Sequence, residues 1–115
     1  MSTPLYQLKA EFFKTLGHPV RIRVLELLSE REHGVAEMLR DTGVEPAYLS
    51  QQLAVLRRAN MVVARREGTA VYYALTTPQV AGLLRIARTI LSGAVACQAE
   101  PPSGLRTPAP REKTP

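Results

Sequence analysis

Apolar residues recur at every third or fourth position in five separate stretches of the chain, a spacing that is typical of amphipathic helices. The predicted helices are Leu5–Leu16, Pro19 to about Leu28, about Val35 to Asp41, a helix that begins at Pro46, and a last helix that begins near Thr77-Pro78. Prolines stand at or just before four of these starts, where the missing N–H has no helical partner to lose. The polar segment Glu30–Gly34 is predicted to be a loop.

Two β-prone runs follow the fourth predicted helix. Val62–Arg66 and Val71–Leu75 flank a short loop in which Gly68 supplies a backbone angle that other residues rarely adopt. The preceding segment, 35–60, is a short helix, a turn containing Gly43 and a longer helix, which is typical of a helix-turn-helix. Together these elements predict a winged helix-turn-helix, mainly α with a small β-hairpin: about five helices plus a two-stranded wing.

The predicted helix that begins at Pro46 has two distinct faces. Leu49, Leu53 and Leu56 share one face, which is expected to be buried, and the other carries amide, aromatic and cationic groups. Glutamine can pair with an adenine edge in the major groove of DNA, and arginine reaches guanine or phosphate. The candidate DNA contacts on this helix and the hairpin are Pro46, Ala47, Tyr48, Ser50, Gln51, Gln52, Arg57, Arg58, Arg65, Arg66 and Thr69.

These candidates divide into two roles. Tyr48, Ser50, Gln51 and Gln52, near the start of the helix, are expected to specify the DNA sequence, while the arginines contact phosphates and position the protein. Two assignments have alternatives: partial burial of Tyr48 against the preceding turn, and a place for Arg57 at the edge of the domain.

The first and last predicted helices carry more apolar surface than a three-helix core with one hairpin can cover. An uncovered apolar stripe of this size is uncommon on a monomer. We therefore expect both helices to pack together and bury the excess against a second copy of the chain, with packing inside one chain as the alternative. The expected interface residues of the homodimer are Leu5, Leu8, Phe12, Val80, Leu83, Leu84, Ala87 and Leu91.

Composition predicts one small domain with a polyanionic partner. The chain has 115 residues, a net charge of +5 and a pI near 9.9. Residues 1–97 are expected to form the DNA-binding and dimerisation domain. Residues 98–115 are rich in proline and poor in apolar side chains, so a disordered tail is expected. A single cysteine, no apolar run long enough for a bilayer and no visible secretory signal favour a cytoplasmic protein without membrane contact.

Catalytic and metal-binding patterns are weak. The sequence contains no Gly-rich phosphate loop, GxSxG or HExxH, so we expect no enzyme. His18 and His33 have no partner at a telling spacing, and Cys97 lacks neighbours that would make it a thiolate. No metal site or cofactor is assigned; these three residues are weak candidates, and nickel or zinc would suit imidazole ligands. A lone histidine just before a helix is more often a cap than a ligand.

The sequence resembles the ArsR–SmtB family of bacterial repressors. The resemblance rests on two segments, FFKTLGHPVRIRVLELL, near the family's usual ALADPTRLRILRLL, and LSQQLAVLRRANMVVARREGTAVYYAL, which is similar to its recognition helix and wing. It covers about Leu5 to Leu91. The family resemblance implies a homodimer, joined through its first and last helices, that binds an imperfect inverted repeat over a promoter. An inducer or metal then weakens binding; when bound, such a protein is associated with the nucleoid.

The sensing sites familiar from that family are missing from this sequence. HGVAEML stands where many members have a cysteine-containing ELCVCDL, with His33 nearby but no thiol. Paired cysteines are excluded because Cys97 is the only one. The positions of other family ligands hold side chains that do not coordinate metals: Thr77, Gln79, Ile90, Gly93, Val55 and Ala59.

The sequence thus predicts a dimeric, sequence-specific, DNA-binding transcriptional regulator, and the family resemblance implies that it represses from an inverted-repeat operator. Its control has three possible sources: an unfamiliar metal set including the two histidines and Cys97, a partner protein or small molecule, or constitutive binding governed by expression level. The last two are favoured. The rival function is a winged-helix interaction module whose basic face binds an acidic protein or RNA; exposed apolar anchors on the recognition helix would favour it.

Overall fold

The structure, a computed structural model, describes the backbone of residues 2–99 and the side chains of residues 2–93. Its elements in chain order are α1 (Leu5–Leu16), α2 (Pro19–Glu30), β1 (His33–Gly34), α3 (Val35–Thr42), α4 (Pro46–Arg58), β2 (Val62–Glu67), β3 (Ala70–Leu75) and α5 (Gln79–Ala99). The five predicted helices are confirmed. The chain up to Ala81 forms one compact unit, and the rest of α5 belongs to a second. Apart from the last two residues of α5, the expected tail lies outside the described residues.

The wing contains a third strand that the sequence did not indicate. β2 and β3 form the predicted antiparallel hairpin, with Val62 opposite Leu75, and its turn contains Gly68 at φ 64°. β1 pairs antiparallel with the other edge of β3, so that the strand order is β1-β3-β2. The predicted loop over Glu30–Gly34 is therefore wrong at both ends, because Glu30 is the last residue of α2 and His33–Gly34 form β1. A strand of two residues has no alternating pattern to detect, and its partner Tyr73 lies far along the chain.

The core lies among α2, α3 and α4. Its largest fully buried side chains are Leu25, Met38, Leu49, Leu56 and Val24. The predicted burial of the leucine face of α4 is confirmed, because Leu53 is also buried. Burial of each such side chain stabilises the fold by about 1.5–3 kcal/mol.

A left-handed residue separates α3 from α4. Gly43 has φ 70° and ψ 13°, and its N–H donates to the carbonyl oxygen of Leu39 at 2.9 Å. A side chain at this position would meet no atom within 4 Å, so the requirement for glycine is conformational. Three residues later the chain enters α4 with Pro46 in the first turn. A short helix, this turn, a longer helix and a β-hairpin together form a winged helix-turn-helix, as predicted.

The start of α3 is fixed by a carboxylate. Glu37 accepts a hydrogen bond from the N–H of Gly34 at 2.8 Å and an ion pair from Arg31 at 3.0 Å. The Arg31 guanidinium, followed by the Gly34 N–H, lowers the pKa of Glu37 from 4.5 to about 2. The charged form of this side chain therefore stabilises the first helix of the helix-turn-helix.

Replacing Glu37 by glutamine should remove part of the acid dependence of stability. Because the pKa of the folded carboxylate is depressed, its contribution is complete above about pH 4.5 and is lost as pH falls toward 2. The free energies of unfolding of the wild type and Glu37→Gln, measured in urea, should therefore converge over that window. Glu11→Gln, at an exposed carboxylate that makes no ion pair with any described side chain, is the control. Equal convergence in the control would contradict the assignment.

The apolar side chains of α1 are largely uncovered within one chain. Leu5 and Leu8 are 64% and 53% exposed, and Phe12 is half-buried. Tyr6 and Phe13, which were not among the predicted interface residues, are also exposed. The exposed apolar surface of α1 is therefore wider than the predicted stripe.

The apolar side chains of α5 differ in their exposure. Leu91 is 62% exposed, while Leu83, Leu84 and Ala87 are half-buried. Val80 is only 4% exposed within its own chain, so its assignment to a dimer interface is wrong: it belongs to the core of the unit that ends at Ala81. Two further exposed apolar residues on this helix are Ile86 and Ile90. None of the helices within 2–99 is both long enough and apolar enough to span a bilayer.

Candidate nucleic-acid interface

The solvent-facing side of α4 begins with small and polar residues. Pro46, Ala47, Ser50 and Gln51 are all exposed. Because the leucine face of the same helix is buried, these four side chains face away from the core. Small side chains in the first turn allow a close approach of this end of the helix to a partner surface.

A groove lies between α4, the predicted recognition helix, and the wing. It has a volume of about 1250 Å³ and is lined on the helix side by Ser50 and Arg57. On the wing side it is lined by Arg65, Arg66 and Thr69. Five of the predicted DNA contacts, which come from two separate segments of the sequence, therefore line one concave surface.

Of the four arginines predicted to contact DNA, three are not paired with an acidic side chain among the described residues. Within residues 2–93, Arg57, Arg58 and Arg66 are exposed and make no ion pair with an acidic side chain. An exposed guanidinium without an internal partner is available to a phosphate, and its charge is not already neutralised. The alternative for Arg57, a place at the domain edge, is not favoured, because its side chain lines the groove.

The fourth arginine, Arg65, is held by the protein itself. Its guanidinium makes two hydrogen bonds to Glu32, at 2.7 and 2.8 Å, and lies over the ring of Tyr72 at 4.7 Å from the centroid. Glu32 raises the pKa of Arg65, and Arg65 in turn lowers the pKa of Glu32. This bidentate pair ties β2 to the segment between α2 and β1. Arg65 therefore positions the wing through this pair. A DNA contact by Arg65 stays a prediction.

Gln52 does not lie on the outer face of α4. The side chain is only 7% exposed, and its Oε1 accepts a hydrogen bond from Arg21 at 2.9 Å. Arg21 also donates from Nε to the carbonyl oxygen of Thr15 at 2.7 Å. The predicted DNA contact for Gln52 is wrong, because this side chain lies on the buried face of α4 with Leu49. A buried amide costs little when its hydrogen bonds are satisfied.

The hydroxyl of Tyr48 is also bound internally. It lies 2.8 Å from Nε2 of His18, and the side chain is 38% exposed. Nδ1 of His18 accepts from the backbone N–H of Val20 at 3.2 Å, so the neutral ring carries its proton on Nε2 and donates to the tyrosine. The hydroxyl of Tyr48 is therefore bound at the start of α2 although the side chain is exposed, and a DNA contact by this residue stays a prediction.

The two histidine candidates do not form a metal site with any other described side chains. Both ring nitrogens of His18 are occupied, and His33 is buried with Nδ1 donating to the carbonyl oxygen of Arg31 at 2.9 Å. Cys97 lies in α5, but its side chain is outside the described ones. No group of three or more histidine, cysteine, aspartate or glutamate side chains in the part of the chain with described side chains is arranged to hold a metal ion. The described side chains, the two histidines among them, therefore do not form the metal site that the family resemblance suggests.

Comparisons with known proteins agree with this geometry. Residues 18–63, which span α2 to the start of β2, match the family described as bacterial regulatory protein, arsR family. An uncharacterised HTH-type transcriptional regulator of Mycobacterium tuberculosis, Rv0081, is 59% identical over 79% of this chain and 81% of its own length. A biofilm growth-associated repressor of Xylella fastidiosa is 40% identical over 70% of this chain and 71% of its own length.

Solved structures give the same result. The crystal structure of Rv0081 superposes with a TM-score of 0.76 at 54% identity, covering 86% of this chain and all of that one. A homodimeric winged helix-turn-helix DNA-binding domain of Mycobacterium bovis, Mb0332, superposes with a TM-score of 0.70 at 30% identity, covering 79% of this chain and 84% of that one. These relatives are regulators and not enzymes, in agreement with the predicted lack of catalysis. The chain belongs to the ArsR family of bacterial transcriptional regulators.

Proposed function

We propose that this regulator binds an inverted-repeat operator as a homodimer and represses transcription from it. The observation that carries the proposal is the groove between α4 and the wing, which brings Ser50 and Arg57 together with Arg66 and Thr69. A polar helix face beside unpaired guanidinium groups offers one surface for base edges and another for phosphates. The Xylella relative, named a repressor, supports the direction of regulation.

In this proposal base reading belongs to the first turns of α4. Ser50 and Gln51 carry the polar groups, and Pro46 and Ala47 allow the helix to approach the major groove. Arg57, Arg58, Arg66 and Thr69 contact the flanking phosphates. Tyr48 and Gln52 are left out of the direct contacts, since their polar groups are held by His18 and Arg21.

A homodimer is supported by two observations. α1 and α5 each present exposed apolar side chains, among them Leu5, Leu8 and Leu91, and contact with a second copy would remove these from water. The Mycobacterium bovis relative at 30% identity is described as homodimeric. Two-fold symmetry would place the two recognition helices about 34 Å apart, one turn of the duplex, and would require an inverted repeat.

Control by a metal is not supported by the described side chains, because no group of three or more histidine, cysteine, aspartate or glutamate side chains among them is arranged to hold a metal ion. We propose instead that a partner protein, a small molecule or the expression level controls occupancy of the operator. The decisive experiment is a gel shift with the DNA upstream of the protein's own gene against unlabelled random duplex, repeated with RNA. Equal affinity for upstream and random duplex, or tighter binding of RNA, would overturn operator recognition in favour of a general interaction module.

Replacing Gln51 by alanine should weaken binding to the specific site by about 1–3 kcal/mol and leave binding to random duplex unchanged. Its amide is exposed on α4 and can pair with a base edge, whereas it carries no charge for phosphates. Gln79→Ala, at an exposed glutamine in the first turn of α5, is the matched control. Fluorescence anisotropy with both duplexes measures the ratio of the affinity for the specific site to the affinity for random duplex. An equal loss on both duplexes would assign Gln51 to backbone contact.

A further inference from the structure

We propose that the junction between α1 and α2 is a clamp that sets the rotation of the recognition helix. His18 and Arg21 are its positioning residues. The inference rests on the proposed function, because it concerns how α4 is presented to DNA. Neither residue touches DNA in this scheme; each acts through the side chain that it holds on α4.

The first arm of the clamp joins His18 to Tyr48. The imidazole is itself fixed, because Nδ1 accepts the N–H of Val20 at the start of α2 and Nε2 is thereby left as the donor. That donor meets the tyrosine hydroxyl at 2.8 Å, and the two rings lie 6.0 Å apart. Because His18 caps α2 through Nδ1, the other ring nitrogen, Nε2, makes the hydrogen bond to Tyr48 of α4.

The second arm joins Arg21 to Gln52. One guanidinium nitrogen donates to the buried amide oxygen of Gln52 at 2.9 Å, and Nε donates to the carbonyl oxygen of Thr15 at 2.7 Å. Arginine presents these donors in a rigid planar fork, so both bonds are fixed together. The arm therefore runs from the last turn of α1 to the middle of α4.

The two arms act on one side of α4. Tyr48 and Gln52 are four residues apart, which places them one above the other on the helix surface, about 6 Å apart along the axis. Two attachments on one side fix both the rotation and the tilt of the helix. Ser50 and Gln51, which lie between them in sequence and face solvent, therefore have set directions before DNA arrives. Pre-set directions favour base discrimination, because a mismatched edge cannot be accommodated by turning the helix.

A double-mutant cycle at the first arm tests the clamp. Asparagine at position 18 keeps an acceptor for the cap of α2 but lacks the ring nitrogen that reaches Tyr48. His18→Asn and Tyr48→Phe should each lower the preference for upstream over random duplex about fivefold, the value of one neutral hydrogen bond. The double variant should show the same fivefold loss, because both changes remove the same bond. Tyr6→Phe, at an exposed tyrosine of α1, is the matched control.

Fluorescence anisotropy on both duplexes gives the preference, and ¹⁵N NMR gives a signature of the contact. In the wild type Nε2 of His18 should carry the proton, and its shift should move in Tyr48→Phe but not in Tyr6→Phe. Independent losses that multiply to about 25-fold, or equal losses on both duplexes, would overturn the clamp while leaving operator recognition intact. A wild type without any preference for upstream DNA would remove the proposed function, and the clamp with it.

The second arm has its own test. Arg21→Lys keeps the charge but cannot supply the fork that joins Thr15 to Gln52. We expect a loss of preference at least as large as that of Tyr48→Phe, with a smaller loss on random duplex. Lysine in place of arginine at position 85, an exposed residue of α5, is the control. A full preference in Arg21→Lys would show that charge alone suffices and would overturn the second arm.

Discussion

Leu91→Glu should convert the protein to monomers. A two-fold interface uses the same surface patch of both copies, so one substitution brings two carboxylates into the seam. A buried charge without a partner costs about 3–5 kcal/mol, so each carboxylate raises the dimer dissociation constant by roughly two to four orders of magnitude. Because Leu91 is 62% exposed in a single chain, the substitution should leave the monomer folded. Light scattering at micromolar concentration measures the mass directly.

The matched control is Thr89→Glu. Thr89 is exposed and lies two residues before Leu91, on roughly the opposite side of α5 at 100° per residue. This substitution adds the same charge to the same helix without entering the proposed seam, so the dimer should persist.

In the monomeric Leu91→Glu protein, affinity for an inverted repeat should fall toward that of a half-site, since the second half-site no longer binds at high effective concentration. A Leu91→Glu protein that stays dimeric would place the seam elsewhere.

Periodicity predicted most of this fold. Leu49, Leu53 and Leu56 recur on one side of α4 and are buried, as expected from spacing alone. Gly43 occupies a left-handed position that few other residues tolerate, so the turn was also visible in the sequence. Both signals are local: each depends on residues within one or two turns of the chain. The starts of the helices were predictable for the same reason, whereas the predicted end of α2, about Leu28, falls two residues before its observed end at Glu30.

Long-range pairing explains what the sequence did not predict. Gln52 was expected to face DNA, yet it lies at i+3 from Leu49 and therefore shares the buried side; only its partner Arg21, far away in sequence, makes that burial acceptable. Arg65 was expected to meet phosphates, but its partner Glu32 lies in a segment predicted to be a loop. Nothing near these residues in sequence indicates such pairs. In both pairs, a charged or amide side chain makes a hydrogen bond to a side chain in a different part of the fold.

These pairs change how the charge of the interface is counted. Of the four arginines predicted to face DNA, Arg65 is already neutralised by Glu32, whereas the other three make no ion pair with a described side chain. The wing therefore contributes one free cation per protomer, Arg66, and α4 contributes Arg57 and Arg58. A dimer would then bring about six unpaired guanidinium groups to the duplex, and the salt dependence of binding should reflect that number.

The double variant Arg58→Ala/Arg66→Ala should lower affinity for specific and random duplex alike. It removes one free cation from α4 and one from the wing, hence four phosphate contacts from a dimer. At about 0.9 per contact, the slope of log affinity against log salt should become shallower by roughly 3.6, and affinity at 0.15 M salt should fall about a thousandfold. Arg23→Ala is the control, because it removes a charge that Asp41 and Glu26 already pair. A double variant with the wild-type slope would mean that phosphates are held by other residues, and Arg58 and Arg66 would lose their proposed role as phosphate contacts.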